Sequence, residues 1–194
     1  MSDYFKHKGH ELSTDGQHGF KTAPGKTLIL AGSCSTATRE QVRIAQKNIP
    51  SFQLDPFKVH SGELTLETLL EWVERQTENT ILIYSSAEPK AVKKVQSTLG
   101  KNNIAQQLED LLAAVAVHSK FKNIVVAGGE TSGAVVEAFG LSTFLVGPSV
   151  CPGVPLVQAV DQGKLTLALK SGNFGSPNFF EEANTLIQSL GVDV

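Results

Sequence analysis

The sequence predicts an α/β fold: one domain with a largely parallel sheet and helices on both faces. Short unbroken apolar runs such as TLILA and ILIY are typical of strands buried on both faces. Segments with apolar residues at helical spacing lie between them, and strands that alternate with helices imply right-handed crossovers and parallel pairing. A length of 194 residues with 41% hydrophobic and 19% charged residues fits a single compact core.

The elements follow one another from residue 27 onward. Residues 1–26 are polar and lack a sustained apolar period, so we expect an N-terminal arm or linker before a domain at 27–194. Ser35 or Thr36 is expected to cap the first helix, and proline opens the second. Strands are predicted at 28–31, 81–86, 123–127, 143–148 and 165–170, and helices at 36–46, 89–99, 104–118, 134–139 and 178–190.

Charge and composition exclude several classes of partner. A net charge of -2 and a pI near 6.2 give no broad positive field, so nucleic acid is not expected. No apolar run approaches the roughly 20 residues of a membrane span, and the first eight residues are polar, which predicts a cytoplasmic protein without a membrane partner. Two cysteines, Cys34 and Cys151, encode no disulfide framework.

Three of the predicted strands end in loops rich in glycine and hydroxyl groups. These loops are 32–35, 128–133 and 170–175. The carboxyl ends of parallel strands lie at one edge of the sheet, where helix N-termini direct unpaired N–H groups outward. Glycines allow close backbone approach, and Lys170 supplies a cation for a phosphate. The pattern therefore predicts an anion site at this edge.

Each of these features also has a structural interpretation. A glycine at a strand end is often only a tight turn, and Lys170 could pack its stem on the sheet while its ammonium reaches water. Glu130 could meet a magnesium ion or a ribose hydroxyl, or interact with a helix dipole. Cys34 is better explained as a small buried packing residue than as a nucleophile. His7, His10 and His18 are more simply solvated residues of the arm than metal ligands, so no metal-binding residues are predicted.

Two familiar phosphate motifs are excluded by spacing. Gly19 and Gly25 are separated by five residues where a P-loop requires four, and they precede a strand instead of following one. The 128–133 segment lacks the G-x-G-x-x-G spacing of a dinucleotide fold. A standard Rossmann dehydrogenase is therefore not expected.

Four ordered segments resemble the C-terminal, ATP-binding domain of the four-carbon acid sugar kinases. They are LAGSCSTAT (30–38), VVAGGETSGAVVEAFG (125–140), VGPSVCPGVP (146–155) and LALKSGNFG (167–175). The resemblance implies a nucleotide site surrounded by residues that match the family's motifs. Lys170 is included because it begins one of the three glycine-rich loops. The predicted site comprises Ser33, Ser35, Gly128, Gly129, Glu130, Thr131, Gly147, Gly153, Lys170, Gly172 and Asn173.

The resemblance also implies ATP with Mg²⁺, ADP as product, and phosphorylation of four-carbon sugar acids such as 3-oxo-tetronates or threonates. The catalytic residues are not identified, because the family's Asp-Asp element belongs to a separate N-terminal domain that binds the sugar acid, and this chain contains no Asp-Asp pair. The chain is then a fragment of a kinase, a free-standing half that works with a partner, or a non-catalytic nucleotide-binding or assembly module. A homo-oligomer is a further expectation.

Overall fold

A computed structural model describes residues 20–87, 93, 97–98 and 101–191. Within these ranges seven strands form one mixed sheet, which confirms the predicted α/β class. The strands are β1 (Thr27–Ala31), β2 (Ser51–Gln53), β3 (Thr80–Tyr84), β4 (Asn123–Ala127), β5 (Phe144–Cys151), β6 (Val154–Ala159) and β7 (Thr166–Lys170). Their order across the sheet is β2-β3-β1-β4-β7-β6-β5.

The first five strands in this order pair in parallel, whereas the last two, β6 and β5, join the sheet through antiparallel pairs. β1, β3 and β4 are buried along their whole length, as their unbroken apolar sequences predict. β6 runs antiparallel to both β7 and β5, so the β5–β6 hairpin closes the sheet at one edge. The sheet is therefore largely parallel, as predicted, with an antiparallel edge.

Six helices with described bounds cover the two faces of the sheet: α1 (Thr36–Ala45), α2 (Pro56–Ser61), α3 (Leu66–Glu74), α4 (Lys101–His118), α5 (Gly129–Ala138) and α6 (Phe179–Leu190). Alternate residues of β1 face opposite sides, so Leu28 belongs to one apolar cluster and Ile29 to the other. The first cluster includes Leu112 of α4, and the second includes Ile187 of α6. Within the described ranges, no helix has the length and apolar character of a membrane span.

Several elements differ from the sequence prediction. Ser35 caps α1 as expected, with its side chain accepting from the Thr38 N–H. Strands β2 and β6 and helices α2 and α3 had not been predicted, and α5 begins at Gly129, five residues earlier than expected. The predicted helix at 89–99 lies mostly outside the described residues.

The described end of the predicted arm packs against the domain. Phe20 and Thr22 are buried, and the Thr22 hydroxyl donates a 2.6 Å hydrogen bond to the Ile187 carbonyl. The amide of Asn123 donates to the Ala23 carbonyl at 2.9 Å. Residues 1–19, with the three arm histidines, lie outside the described residues, and the domain boundary at residue 27 stays a prediction.

Candidate functional site

The three strands whose loops formed the predicted site are neighbours in the sheet. β1 pairs in parallel with β4, and β4 with β7, so Ala31, Ala127 and Lys170 lie side by side at the carboxyl ends. The following loops therefore meet at one edge, as the sequence predicted. This edge is called the rim below.

The loop after β1 is folded back onto β4 and then opens helix α1. The N–H groups of Gly32 and Ser33 both donate to the Ala127 carbonyl, at 3.0 and 3.2 Å. The Ser33 hydroxyl accepts from the Ser35 N–H at 3.2 Å. These bonds place two serine hydroxyls at the rim, beside the positive end of a helix.

The loop after β4 turns directly into helix α5. Gly128 has a φ of 138°, a conformation that L side chains rarely adopt, and its N–H donates to the Lys170 carbonyl at 2.9 Å. No side chain caps α5, so its first-turn N–H groups have no side-chain acceptor. Gly129 and Glu130 are exposed there, whereas Thr131 is buried. The α5 N-terminus is therefore an open set of hydrogen-bond donors.

A cavity of about 850 Å³ opens between these two loops and helices α2 and α4. Five of the predicted site residues line it: Ser33, Gly128, Gly129, Glu130 and Thr131. The opposite wall is apolar and includes Pro56, Phe57, Ile104 and Leu108. One end of the cavity thus offers donors and the other an apolar surface, a combination typical of small-ligand sites.

Glu109 of α4 lines this cavity and had not been predicted as a site residue. Its Oε2 atom and the Thr131 Oγ1 atom are buried and make no hydrogen bond of normal geometry, although the neutral Thr131 hydroxyl lies close enough to the carboxyl to lower its pKa. Burial raises the pKa of the Glu109 carboxyl, and the nearby Thr131 hydroxyl partly opposes the shift. Gly32 permits this approach, because a β-carbon there would lie 2.7 Å from Glu109 Oε1. Only its position beside Leu108 on the apolar side of α4 could have indicated it.

The loop after β7 has a different character, because its Gly172 carbonyl and the Lys170 ammonium are paired within the protein. The Gly172 carbonyl accepts hydrogen bonds from Ser35 Oγ at 2.5 Å, Thr38 Oγ1 at 2.8 Å and Lys170 Nζ at 3.0 Å. A β-carbon on Gly172 would collide with Ser33 Oγ and lie 3.1 Å from Ser35 Cβ. The loop is therefore held tightly against the start of α1.

Lys170 is 1% exposed, so the interpretation in which its ammonium reaches water is wrong. Its Nζ donates to Thr38 Oγ1 at 3.0 Å, to the Ser171 carbonyl at 3.1 Å and to the Gly172 carbonyl at 3.0 Å. An ammonium has three N–H donors, and all three are engaged. Burial lowers the pKa of Lys170 to about 8.

The remaining predicted residues lie around the rim or away from it. Asn173 is exposed in the β7 loop, and Gly153, at the tip of the β5–β6 hairpin, lies against the Phe174 ring. Gly147 lies in the middle of β5, where a β-carbon would be 2.6 Å from the Phe20 ring. Cys34, expected as a buried packing residue, is only half-buried and lines the cavity. The structure thus brings most of the set together and separates Gly147.

Comparison with known proteins gives concordant matches. The sequence model of a family described as nucleotide-binding C-terminal domain matches residues 28–180. A 3-oxo-tetronate kinase of Burkholderia multivorans is 37% identical over 94% of this chain and 44% of its own length. One of Methylobacterium radiotolerans is 42% identical over 82% of this chain and 39% of its own length. This chain thus spans less than half the length of these relatives.

A solved structure supports the same assignment. The crystal structure of a Haemophilus influenzae protein superposes with a TM-score of 0.82 and 36% sequence identity, over 87% of this chain and 42% of the other. Sequence and fold comparisons agree on the same region of a longer protein. The chain belongs to the family of nucleotide-binding C-terminal domains.

Proposed function

We propose that this chain is the ATP-binding half of a kinase that phosphorylates four-carbon sugar acids of the 3-oxo-tetronate or threonate type. The observation that carries the proposal is the open end of the rim, where the Ser33 loop and the uncapped N-terminus of α5 face a cavity of about 850 Å³. Helix N-termini bind phosphates through unpaired N–H groups and the helix dipole. The names of the relatives supply the reaction class.

The cavity suggests how the nucleotide lies. The phosphates meet the N–H groups of Gly129 and Glu130 and the Ser33 hydroxyl, because these are the donors at the rim. The base lies at the apolar wall formed by Phe57 and Leu108, where burial of its ring surface is favourable. A volume near 850 Å³ is within the range of about 300–1,000 Å³ typical of ligand pockets.

Mg²⁺ fits the residues present. Among the described residues no group of three or more histidine, cysteine or acidic side chains could hold a metal alone. Magnesium in phosphoryl-transfer sites takes only one or two carboxylates and completes its coordination with phosphate oxygens and water. The exposed carboxylate of Glu130, at the phosphate end of the cavity, is the residue that would face it. The ion would neutralise charge on the phosphates during transfer.

Phosphoryl transfer requires an acceptor that this chain is not proposed to bind. A hydroxyl oxygen of the sugar acid attacks the γ-phosphorus, the bond to the β–γ bridging oxygen breaks, and ADP leaves. The separate N-terminal domain that the resemblance implies would bind the acid and take the hydroxyl proton. The alternative, a non-catalytic nucleotide-binding or assembly module, is favoured by one observation: the chain contains no Asp-Asp pair.

Thermal melting with ADP and Mg²⁺ tests nucleotide binding by the chain. Ligand at 100 times its dissociation constant contributes about 2.7 kcal/mol, which should raise the midpoint by about 5–10 °C for a domain of this size. No shift at millimolar ADP would count against the proposal.

A coupled ADP-release assay with threonates, erythronates and 3-oxo-tetronates then separates the two candidate functions. The chain alone should not turn over, because holding the acceptor in line can account for about 7–11 kcal/mol of a barrier. Turnover that appears when an Asp-Asp-containing domain is added supports the kinase half. Failure with that domain supports the non-catalytic module, and turnover by the chain alone would contradict the placement of the acceptor site.

A further inference from the structure

The Gly172 carbonyl takes part in three hydrogen bonds, as many as the Lys170 ammonium donates. It accepts from two hydroxyls and one ammonium: Ser35 Oγ at 2.5 Å, Thr38 Oγ1 at 2.8 Å and Lys170 Nζ at 3.0 Å. A carbonyl oxygen has two lone pairs, so three donors exceed its usual capacity and fix its direction. Ser35, Thr38, Lys170 and the Gly172 carbonyl are called the carbonyl clamp.

Fixing this carbonyl also fixes the direction of the next N–H. The peptide unit is planar and trans, so the Asn173 N–H points away from the Gly172 C=O and therefore away from the clamp. Within the part of the chain that the structure describes, neither the Gly172 N–H nor the Asn173 N–H has a hydrogen-bond partner. These two donors lie next to Ser33, which lines the cavity, although no residue of the 170–175 loop lines the cavity itself.

Lys170 is placed to stabilise the clamp and not to reach a ligand. Its ammonium is buried, its three donors are satisfied within the protein, and it lies 5.7 Å from the centre of the Phe179 ring. A direct bond to a phosphate would require one of the three existing bonds to break. Lys170 also does not line the large cavity.

We propose that Lys170 is a positioning residue, which holds the Ser171–Asn173 backbone so that its N–H groups face the nucleotide phosphates, without touching the nucleotide itself. The proposal rests on the proposed function, since it specifies how one loop of that site is kept in its binding conformation. It replaces the simpler expectation that Lys170 is the phosphate's cation. Thr38, a neutral residue, becomes as important as the lysine.

The clamp also implies a pH dependence. Burial lowers the Lys170 pKa to about 8, whereas the charge of Cys151 on strand β5, two strands away from β7 in the sheet, opposes the shift. Glu182 of α6 acts on Cys151 in turn, and the groups of α1 and α6 that face the ammonium, Thr38 and the Phe179 ring, do not titrate. Loss of the proton removes one donor and the positive charge, so nucleotide affinity should fall as the pH rises through about 8.

A double-mutant cycle tests the proposal. Thr38→Val, Lys170→Met and the double variant are titrated with Mg²⁺–ADP by calorimetry at pH 7, with the exposed Lys122→Met as the matched control. If both residues act through the clamp, each single variant weakens binding about tenfold and the double variant is little worse than either, because both break one unit. Wild-type affinity should fall with pH through about 8, and Lys170→Met should abolish that dependence.

The opposite results are equally clear. A lysine that contacts phosphate directly predicts that Thr38→Val binds like wild type, or that the two losses add, and either result would overturn the clamp. Thr38→Val removes only a buried hydroxyl, so its nucleotide affinity still tests the clamp if Lys170→Met does not fold. Wild-type protein that binds no ADP would instead refute the proposed function, and the two failures are therefore distinguishable.

Discussion

The two sides of the rim use similar residues in opposite ways. On the β1–β4 side, Thr131 Oγ1 and Glu109 Oε2 are buried without partners and helix α5 has no capping side chain. On the β7 side, the ammonium of Lys170 and the carbonyl of Gly172 are fully hydrogen-bonded. Unpaired buried polar groups cost free energy unless a ligand or water satisfies them. The difference separates groups placed to bind from groups placed to hold the backbone.

Glycine serves both sides for the same physical reason. Gly32 and Gly128 let Thr131 approach the β1 and β4 loops, and Gly172 lets Ser33 and Ser35 approach the β7 loop. In each case a β-carbon would collide with a hydroxyl-bearing side chain. The glycines thus bring the side chains of one loop against the backbone of another.

The largest effect on nucleotide binding is expected for Gly172→Ala. The added methyl would overlap Ser33 Oγ and contact Ser35 at about 3.0 Å, so the β7 loop must move away from α1. Overpacking of this kind costs about 1–3 kcal/mol, and we expect nucleotide affinity to fall at least tenfold with a lower melting temperature. Calorimetric titration and thermal melting measure the two effects.

Gly133→Ala is the matched control for that variant. A β-carbon at Gly133, inside α5, would meet no atom within 4 Å. It should raise stability by up to about 1 kcal/mol through helix propensity and leave the affinity unchanged. Equal losses of affinity in both variants would mean that the close contact at Gly172 has no special role.

Lys170, on the β7 side of the rim, is expected to make the stability of the protein depend on pH. The Lys170 pKa is lowered from 10.5 to about 8, so the unfolded chain binds a proton that the folded chain has released between these values. The free energy of unfolding should therefore rise with pH across this window, and this contribution is lost as the pH falls through 8. Its size is on the order of 3 kcal/mol, since one pKa unit corresponds to about 1.4 kcal/mol.

Urea unfolding of wild type and Lys170→Met at pH 7.5, 9 and 10.5 measures this contribution. The difference between the two proteins isolates Lys170 from the other groups that titrate at alkaline pH. A difference that stays constant across the series would show that the ammonium is not buried as the structure has it.

Glu109, on the β1–β4 side of the rim, should give a smaller pH dependence of stability, with the opposite sign. Burial raises the Glu109 pKa above 4.5, so the folded protein binds more protons than the unfolded chain, and stability falls as the pH rises through the raised pKa. In urea unfolding between pH 4.5 and 7, the free energy of unfolding of Glu109→Gln should depend less on pH than that of wild type. The exposed Asp161→Asn is its control, and a slope unchanged by Glu109→Gln would contradict the burial of this carboxylate.

The smallest effect on nucleotide binding is expected for Gly147→Ala. A methyl there meets the Phe20 ring, so the variant should melt lower by several degrees. Its ADP affinity at a temperature where it is folded should stay within about twofold of wild type, because Gly147 lies in the middle of β5 and does not line the cavity. A tenfold loss of ADP affinity would show that Gly147 belongs to the nucleotide site, as the resemblance implied.

The parts of the fold that sequence predicted well are those with a strong local pattern. β1, β4 and β7 are short runs buried along nearly their whole length, and Ser35 is a typical N-cap. β2 has only three residues, and β6 contains Pro155, so neither has a clear strand pattern. Helix α5 includes Gly129 and Gly133, which have low helix propensity, and tertiary contacts of the buried Thr131 outweigh that propensity.

The sequence predicted where the site lies better than it predicted what each of its residues does. Parallel strands required the three loops to meet, and the sequence identified these loops. It could not show that Lys170 is buried, because that depends on Thr38 and Phe179 from other elements. Glu109 was missed for the same reason: a glutamate on an amphipathic helix is expected at the surface until the neighbouring loop is known.

Amide chemical-shift mapping on addition of Mg²⁺–ADP tests the central claim most directly, because it reports where the nucleotide binds. We expect the largest changes at Gly32, Ser33 and 128–131, with smaller changes at 171–173 and none at Leu145 and Val146 of the edge strand β5. Saturating millimolar ADP that leaves the rim resonances unchanged, or that shifts those of β5 instead, would contradict this expectation.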